Sequence, residues 1–390
     1  MAELADLRVI HVGPRAECGG VGSYSVRFAE TLRGHVAEVI EVRHGSPGSD
    51  TVADLRRRRR HLTELIAASD RPTVLHAEFS GGSVESFWPT AGLVASEKLV
   101  ISATAHDPPG LVWWPARTRF LQRRRLLNHG LHFPMRAVSR RVERGVFGDR
   151  ILFGTSVIGA QSLRERYPDA TVHVAPLTVR AMPDMPPAPG RPRAVGLFGL
   201  VYRGKGFEHV ERLRDELPDD IAIRIAGRGT ENLPRREGIE ILGGLAEEEM
   251  AGYFASIRAL VVPYGDRSPY GTAYPSSGVV ADAISHLTPI VTTGHGALRE
   301  LGTEGGAVAI NEGVTAEQTP AALAGKIVEI IDDTERLAVM AASVEGMRKL
   351  REPDTVIGGY VSVWSSVLEK ASVPENSSVP ANAPKSAGSR

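Results

Sequence analysis

Two α/β domains, each built on a parallel sheet covered by helices, are predicted by three features of this sequence. Short apolar runs alternate with amphipathic stretches through the first half; the proline-rich stretch "AMPDMPPAPGRPR" (Ala181 to Arg193) interrupts them; the alternation then restarts. Strands alternating with helices imply parallel βαβ units, and proline at that density suits a linker rather than a regular element. A length of 390 residues also exceeds a usual single core.

Taken in order, "LRVIHVG", "VAEVIEVR", "TVLHAEF" and "LVISATAHD" read as strands of the first half, with "VGSYSVRFAETLRG" and "DLRRRRRHLTELIAAS" as helices between them. After the linker, "AVGLFGLV", "IAIRIAGRG", "GIEILGG", "IRALVVPYG" and "PIVTTG" read as strands, and "GFEHVERLRDEL" and "AEEEMAGYFASI" as helices. "TVIGGYVSVWSSVLEKA" is a final helix, expected to cross back onto the first domain, and "SVPENSSVPANAPKSAGSR" has the composition of a disordered tail. The expected domains are residues 1–187 and 188–352, followed by a returning helix over 353–371 and a tail over 372–390.

Apolar content of 42% and charged content of 24% are ordinary for a soluble globular protein. A single cysteine, Cys18, excludes an internal disulfide and a Cys-rich zinc site, and fits a reducing compartment. No apolar run approaches the ~18 residues of a spanning helix, and "MAELADLRVIHVG" lacks a secretory pattern, so a cytoplasmic location is expected. The net charge of zero hides an asymmetry: residues 1–180 carry +7 and the remainder −7. A basic half suits an anionic partner or a membrane surface, and solvated Arg-rich helices account for it equally. "LVWWPARTRFLQRRRLL", with Trp113 and Trp114 among arginines, fits peripheral membrane contact, a lid over an acceptor, or ordinary core and rim. No nucleic-acid partner is expected, and the oligomeric state is not legible.

In open parallel sheets ligands bind beyond the carboxyl ends of strands, where helix N-termini converge. Three junctions in the second half carry glycine there: "GLFGLVYRGKGF" with Arg203 and Lys205, "IAGRG" with Gly227, and "YPSSGVVADAISHLTPIV" with Ser276, Ser277, Gly278 and Val279. Small residues let backbone approach a phosphate, and the following helix offers free N–H groups and a positive dipole end. Three such junctions in one sheet favour a bound phosphate ester. Asp282 falls one turn after Gly278 on the same helix face, placed to accept hydrogen bonds from vicinal ribose hydroxyls. An acid there also simply complements the helix dipole.

These motifs, in order and spacing, resemble glycosyltransferase family 4, retaining enzymes of the two-domain GT-B fold. The resemblance runs from Leu7 to about Leu368 and includes "CGGVGSYSVRFAETL" after the first strand and "SATAHDPP" in the first domain. It implies that Lys205 neutralises the donor diphosphate and that Gly19, Gly20 and Gly22 bring backbone near the donor. It implies further that His106 supports the donor sugar, and that Asp282 holds the ribose. The family's arginine five residues before the lysine is Leu200 here, with Arg203 as a substitute. Of the family's paired glutamates eight residues apart, Asp282 keeps an acid and Tyr274 does not, as in a serine-glycine variant of the motif. His76, Glu78 and Gly81 in "HAEFSGGS" are expected to line the acceptor cleft.

The expected function is a retaining transfer from a nucleotide-diphosphate sugar, with UDP favoured, to a hydroxyl of a small-molecule or lipid-linked acceptor. The donor is a co-substrate, and no cofactor is expected. The absence of an Asp-x-Asp pair points to a metal-independent site. The alternatives are a pseudo-glycosyltransferase or sugar-nucleotide epimerase on the same fold, or a catalytically silent partner subunit.

Overall fold

A computed structural model describes residues 6–81, 83–180, 184–265 and 272–372. The expected tail over 372–390 therefore lies almost wholly outside the described residues, as do the first three residues of the linker.

The first unit runs β1 (Arg8–Pro14), α1 (Gly20–Leu32), β2 (Glu38–His44), α2 (Val52–Ala67), β3 (Thr73–Phe79), α3 (Val84–Thr90) and β4 (Leu99–Ala105). Three helices follow before the next strand: α4 (Arg119–Gln122), α5 (Arg125–His132) and α6 (Arg136–Phe147). The unit ends with β5 (Ile151–Gly154), α7 (Val157–Arg166) and β6 (Thr171–Val174). The second unit runs β7 (Ala194–Phe198), α8 (Val210–Glu216), β8 (Ala222–Ala226), β9 (Ile239–Gly243), α9 (Glu247–Ala255) and β10 (Ala259–Val262). It continues through α10 (Gly278–Ser285), β11 (Ile290–Thr292), α11 (Arg299–Thr303), β12 (Ala307–Ala309), α12 (Thr319–Ile331) and α13 (Thr334–Leu350). The last helix is α14 (Pro353–Ser372).

Each unit holds a six-stranded sheet, ordered β2-β1-β3-β4-β5-β6 and β12-β11-β10-β7-β8-β9. The paired strands run parallel in both. Helices cover both faces, which is why the central strands β1, β3, β4 and β10 are buried along their whole length and read as continuous apolar runs. Strand order reverses between β1 and β3, and again between β7 and β10. Those reversals are the places where an open α/β sheet leaves a crevice for ligand.

The final helix α14 packs on the first sheet. Val356, Ile357, Tyr360, Val361, Trp364 and Leu368 join a cluster with residues of β1, α1, β3, β4 and β5. The Tyr360 hydroxyl lies 2.9 Å from Thr104 Oγ1 at the end of β4. Trp364 is among the largest fully buried side chains. Trp364→Ala is expected to cost roughly 3–5 kcal/mol, because the cavity cannot close under a helix pinned at both ends. A lowered urea midpoint for the first unit checks this.

In the second unit the linker is held by Arg191. Its buried guanidinium donates to the carbonyls of Phe254, His286 and Leu287 and to Thr288 Oγ1. Burial without a carboxylate partner lowers its pKa to about 10.

Candidate active site

The crevice at the β7–β10 reversal is built by glycine. Gly199 (φ +122°) ends β7 and Gly227 (φ +130°) ends β8. A Cβ on Gly227 would lie 2.0 Å from the Gly199 carbonyl oxygen, and one on Gly199 would lie 2.9 Å from Val279 Cγ2. The loops after β7 and β8 therefore touch through backbone at Gly199 and Gly227, and α10 reaches Gly199 with the Val279 side chain. The Gly227 N–H donates to the Gly243 carbonyl at 2.6 Å.

Lys205 sits over this junction. Its Nζ is 3.8 Å from the centroid of the Tyr264 ring and 5.3 Å from that of Tyr202. Among the described residues it pairs with no carboxylate, and burial lowers its pKa to about 8. A cation over aromatic faces, without its counter-ion, is positioned for an anion that arrives from outside. The Tyr264 hydroxyl lies 2.9 Å from Ser277 Oγ, which caps α10 by accepting the Val280 N–H at 3.4 Å. Burial raises the Tyr264 pKa, so this hydroxyl stays protonated.

The first-turn N–H groups of Gly278 and Val279 have no acceptor among the described residues. They and the α10 dipole face the same junction as Lys205. The serines are committed elsewhere. Ser276 Oγ donates to the Thr155 carbonyl of the first unit at 2.9 Å, and Ser277 is the cap. Both serine hydroxyls are thus engaged within the protein. Arg203 is exposed and lines a groove of about 340 Å³ with Val201, Phe207, Ile225 and Leu233; no bond ties it to Lys205.

Asp282 is half-buried on α10 with no hydrogen bond to its carboxylate among the described residues. Burial raises its pKa to about 6, against the pull of Arg27 on α1 and Arg180 at the start of the linker. Arg27 belongs to the first unit, and Arg180 pairs with Glu247 of α9. Tyr274 sits at the seam, where its N–H donates to the Pro108 carbonyl at 2.7 Å. Glu300 of α11 also crosses the seam: its carboxylate accepts the Val157 and Ile158 N–H groups and caps α7.

In the first unit, Gly19 (φ +99°) and Gly20 lead into α1, and a Cβ on Gly22 would fall 2.1 Å from the Arg15 carbonyl oxygen. Gly22 is thus required by the turn that feeds the helix. Gly19 and Gly20 meet nothing within 4 Å and leave that edge open.

Glu78 is fully buried and accepts from two imidazoles: His106 Nε2 at 2.7 Å and His11 Nε2 at 3.0 Å. Burial opposes its charge, but the hydrogen bonds from His106 and His11, with His76 Nε2 3.6 Å away, outweigh it and hold the carboxyl well below the usual range. A carboxylate only accepts, so both imidazoles present N–H at Nε2, and the other ring nitrogen of His106 is turned away from Glu78. His76 is also fully buried, bonded to Ser102 and Thr104 and stacked on Phe28.

The expectation that His76 and Glu78 line an acceptor cleft is therefore corrected. Tyr360 and Trp364 of α14 close over His76, and Glu78 reaches the cleft only through His106. Gly81 is half-buried; its N–H donates to Asp107, and a Cβ there would strike the Trp113 ring at 2.6 Å. His11, Arg27 and Tyr264 were not singled out in the sequence. A histidine within the apolar run "RVIHVG" was the one signal for His11.

Residues 206–333 match the family model described as "Glycosyl transferases group 1". No curated protein matches the chain in sequence. Among solved structures, the sucrose-phosphate synthase of Thermosynechococcus elongatus superposes with a TM-score of 0.65 at 14% identity, over 94% of this chain and 100% of that one. HepE of Anabaena, in complex with UDP-glucose, gives 0.60 at 12% identity, over 92% and 99%. WaaG, a glycosyltransferase involved in lipopolysaccharide biosynthesis, gives 0.56 at 12%, over 92% and 99%. At these identities the structures speak for the fold, which is GT-B. The family match itself is confined to residues 206–333, within the second unit.

Proposed function

We propose that the chain is a retaining glycosyltransferase that takes a sugar from a UDP-sugar and transfers it to a hydroxyl acceptor. The observation that carries this is Lys205, a cation with no carboxylate partner among the described residues, beside α10 amides with no acceptor among them at a strand-order reversal. The donor diphosphate would lie between Lys205 and the amides of Gly278 and Val279, with the ribose hydroxyls on Asp282. Gly19 and Gly20 would close over it from the opposite wall.

The reaction needs no protein nucleophile. The bond from the anomeric carbon to the phosphate oxygen breaks, the electron pair leaves on the diphosphate, and the acceptor oxygen bonds the same face. A diphosphate oxygen takes the acceptor's proton. Lys205 and the amides stabilise the leaving charge, and His106, oriented by Glu78, faces the sugar. The donor is a co-substrate, and this scheme meets its charge without a metal. A sugar-nucleotide epimerase or pseudo-glycosyltransferase is the second reading, favoured by Tyr274 where an acid would meet the sugar.

The experiment is incubation with a panel of nucleotide sugars, with hydrolysis or transfer followed by mass spectrometry. Turnover of none would remove the enzymatic reading.

Asp282 adds a pH dependence. Its carboxylate accepts from ribose, so binding favours the ionised form; donor affinity is expected to fall as pH drops through about 6. Asp282→Asn should weaken UDP and UDP-sugars alike and flatten that limb. Dissociation constants between pH 5 and 7 that are unchanged by the substitution would withdraw the ribose role.

A further inference from the structure

The helices inserted between β4 and β5 leave several large apolar side chains exposed. In α5, Asn128 and His132 point inward: Trp114 Nε1–H donates to Asn128 Oδ1 at 2.9 Å, and buried His132 meets the Trp114 ring edge-on at 5.5 Å. The flank beside them carries Leu127 and Leu131, both exposed, and the far side carries Leu126, which is 90% exposed. Phe120 of α4, Phe133 after α5 and Val138 of α6 are exposed as well. An apolar stripe that faces solvent on a well-anchored helix is not a core left half-built. Glu143 fixes the segment below by accepting the N–H groups of Val112 and Trp113.

Charge decides what the stripe meets. Arg123, Arg124, Arg125, Arg140, Arg141 and Arg144 are exposed around it, and no Asp or Glu occurs from Pro108 to Val142. The Arg124 guanidinium lies 3.9 Å over the Phe120 ring, so cation and apolar surface are presented together. A second copy docked across a two-fold axis would set this all-positive surface against itself. An apolar stripe rimmed by arginines is the pattern of a helix lying in a lipid interface, its leucines among acyl chains and its cations at anionic headgroups. Among the described residues no helix is long and apolar enough to cross a membrane.

We infer that α4, α5 and α6 form a docking face for an anionic membrane surface, with Leu126, Leu127 and Leu131 inserted and the flanking arginines on the headgroups. This face is independent of the donor site and stands whether or not the chain transfers sugar.

Flotation of the whole chain with vesicles tests it. Vesicles of phosphatidylcholine with phosphatidylglycerol should carry the protein at about 0.1 M salt and release it at about 0.5 M, where surface charge is screened. Pure phosphatidylcholine vesicles should not carry it. Leu127→Glu with Leu131→Glu should weaken binding at least about tenfold, because both insert charge where apolar contact is needed. Arg140→Glu with Arg141→Glu should do the same. These positions are exposed, so unchanged thermal unfolding separates lost binding from lost folding. Val339→Glu on α13 and Arg56→Glu on α2, both exposed elsewhere, should leave flotation intact. Absence of flotation, survival of binding in the leucine variant, or equal loss with Arg56→Glu would overturn the inference. So would a dimer in light scattering that Leu127→Glu with Leu131→Glu dissolves, which would assign the face to a second copy.

Discussion

Lys205→Ala is expected to lower turnover of a nucleotide sugar by about 10- to 150-fold, the equivalent of one charge-assisted contact worth roughly 1.5–3 kcal/mol. The leaving group gains charge as the sugar bond breaks, and Lys205 is a cation with no carboxylate partner among the described residues at the junction of β7, β10 and α10. Its ring contacts with Tyr264 and Tyr202 keep it extended in the absence of ligand. Lys205→Ala removes charge, not packing of the sheet, so the fold should persist. Donor hydrolysis by mass spectrometry, beside thermal unfolding, reads both. Parent-like turnover in a folded Lys205→Ala would remove this residue from the site.

Glu78→Gln is expected to reduce turnover by a similar factor while leaving UDP affinity unchanged. Glutamine keeps the shape but offers one accepting oxygen where Glu78 uses two, for His11 and for His106. One imidazole N–H would then confront an amide N–H in a fully buried place, and an imidazole must change tautomer or turn. The groups that face Glu78 are His11 from β1, His76 from β3, His106 after β4, Tyr24 from α1 and Tyr360 from α14. Replacing the carboxylate therefore acts on His106 without touching Lys205 or α10. A purely structural role would instead lower UDP affinity and turnover together with stability. Calorimetry with UDP and single-turnover rates separate the two outcomes.

The strands were legible because parallel strands covered on both faces must be apolar throughout, and "TVLHAEF" and "LVISATA" carry that mark despite their polar residues. The glycine junctions were legible as sites of close backbone approach. What they approach was not: Gly227 and Gly22 meet other backbone, which a sequence shows no differently from a phosphate loop. His76 and Glu78 misled for a related reason. A polar residue near a strand end looks the same whether it opens on a cleft or is sealed. The seal came from Tyr360 and Trp364, nearly three hundred residues later. The Arg/Trp segment read as one stretch with several fates, since only the inward placement of Asn128 and His132 shows which leucines of α5 are left exposed.

The account rests on a diphosphate meeting Lys205, and proton linkage reports that meeting directly. With its pKa lowered to about 8, Lys205 is largely neutral above that pH and must gain a proton when a dianion binds beside it. Calorimetric titration of the whole chain with UDP near pH 8.5, in buffers of different ionisation enthalpy, measures that uptake. We predict binding with net proton uptake by the parent protein, and weaker binding without that uptake by Lys205→Ala. No binding of UDP, or the same uptake in both proteins, would contradict the assignment.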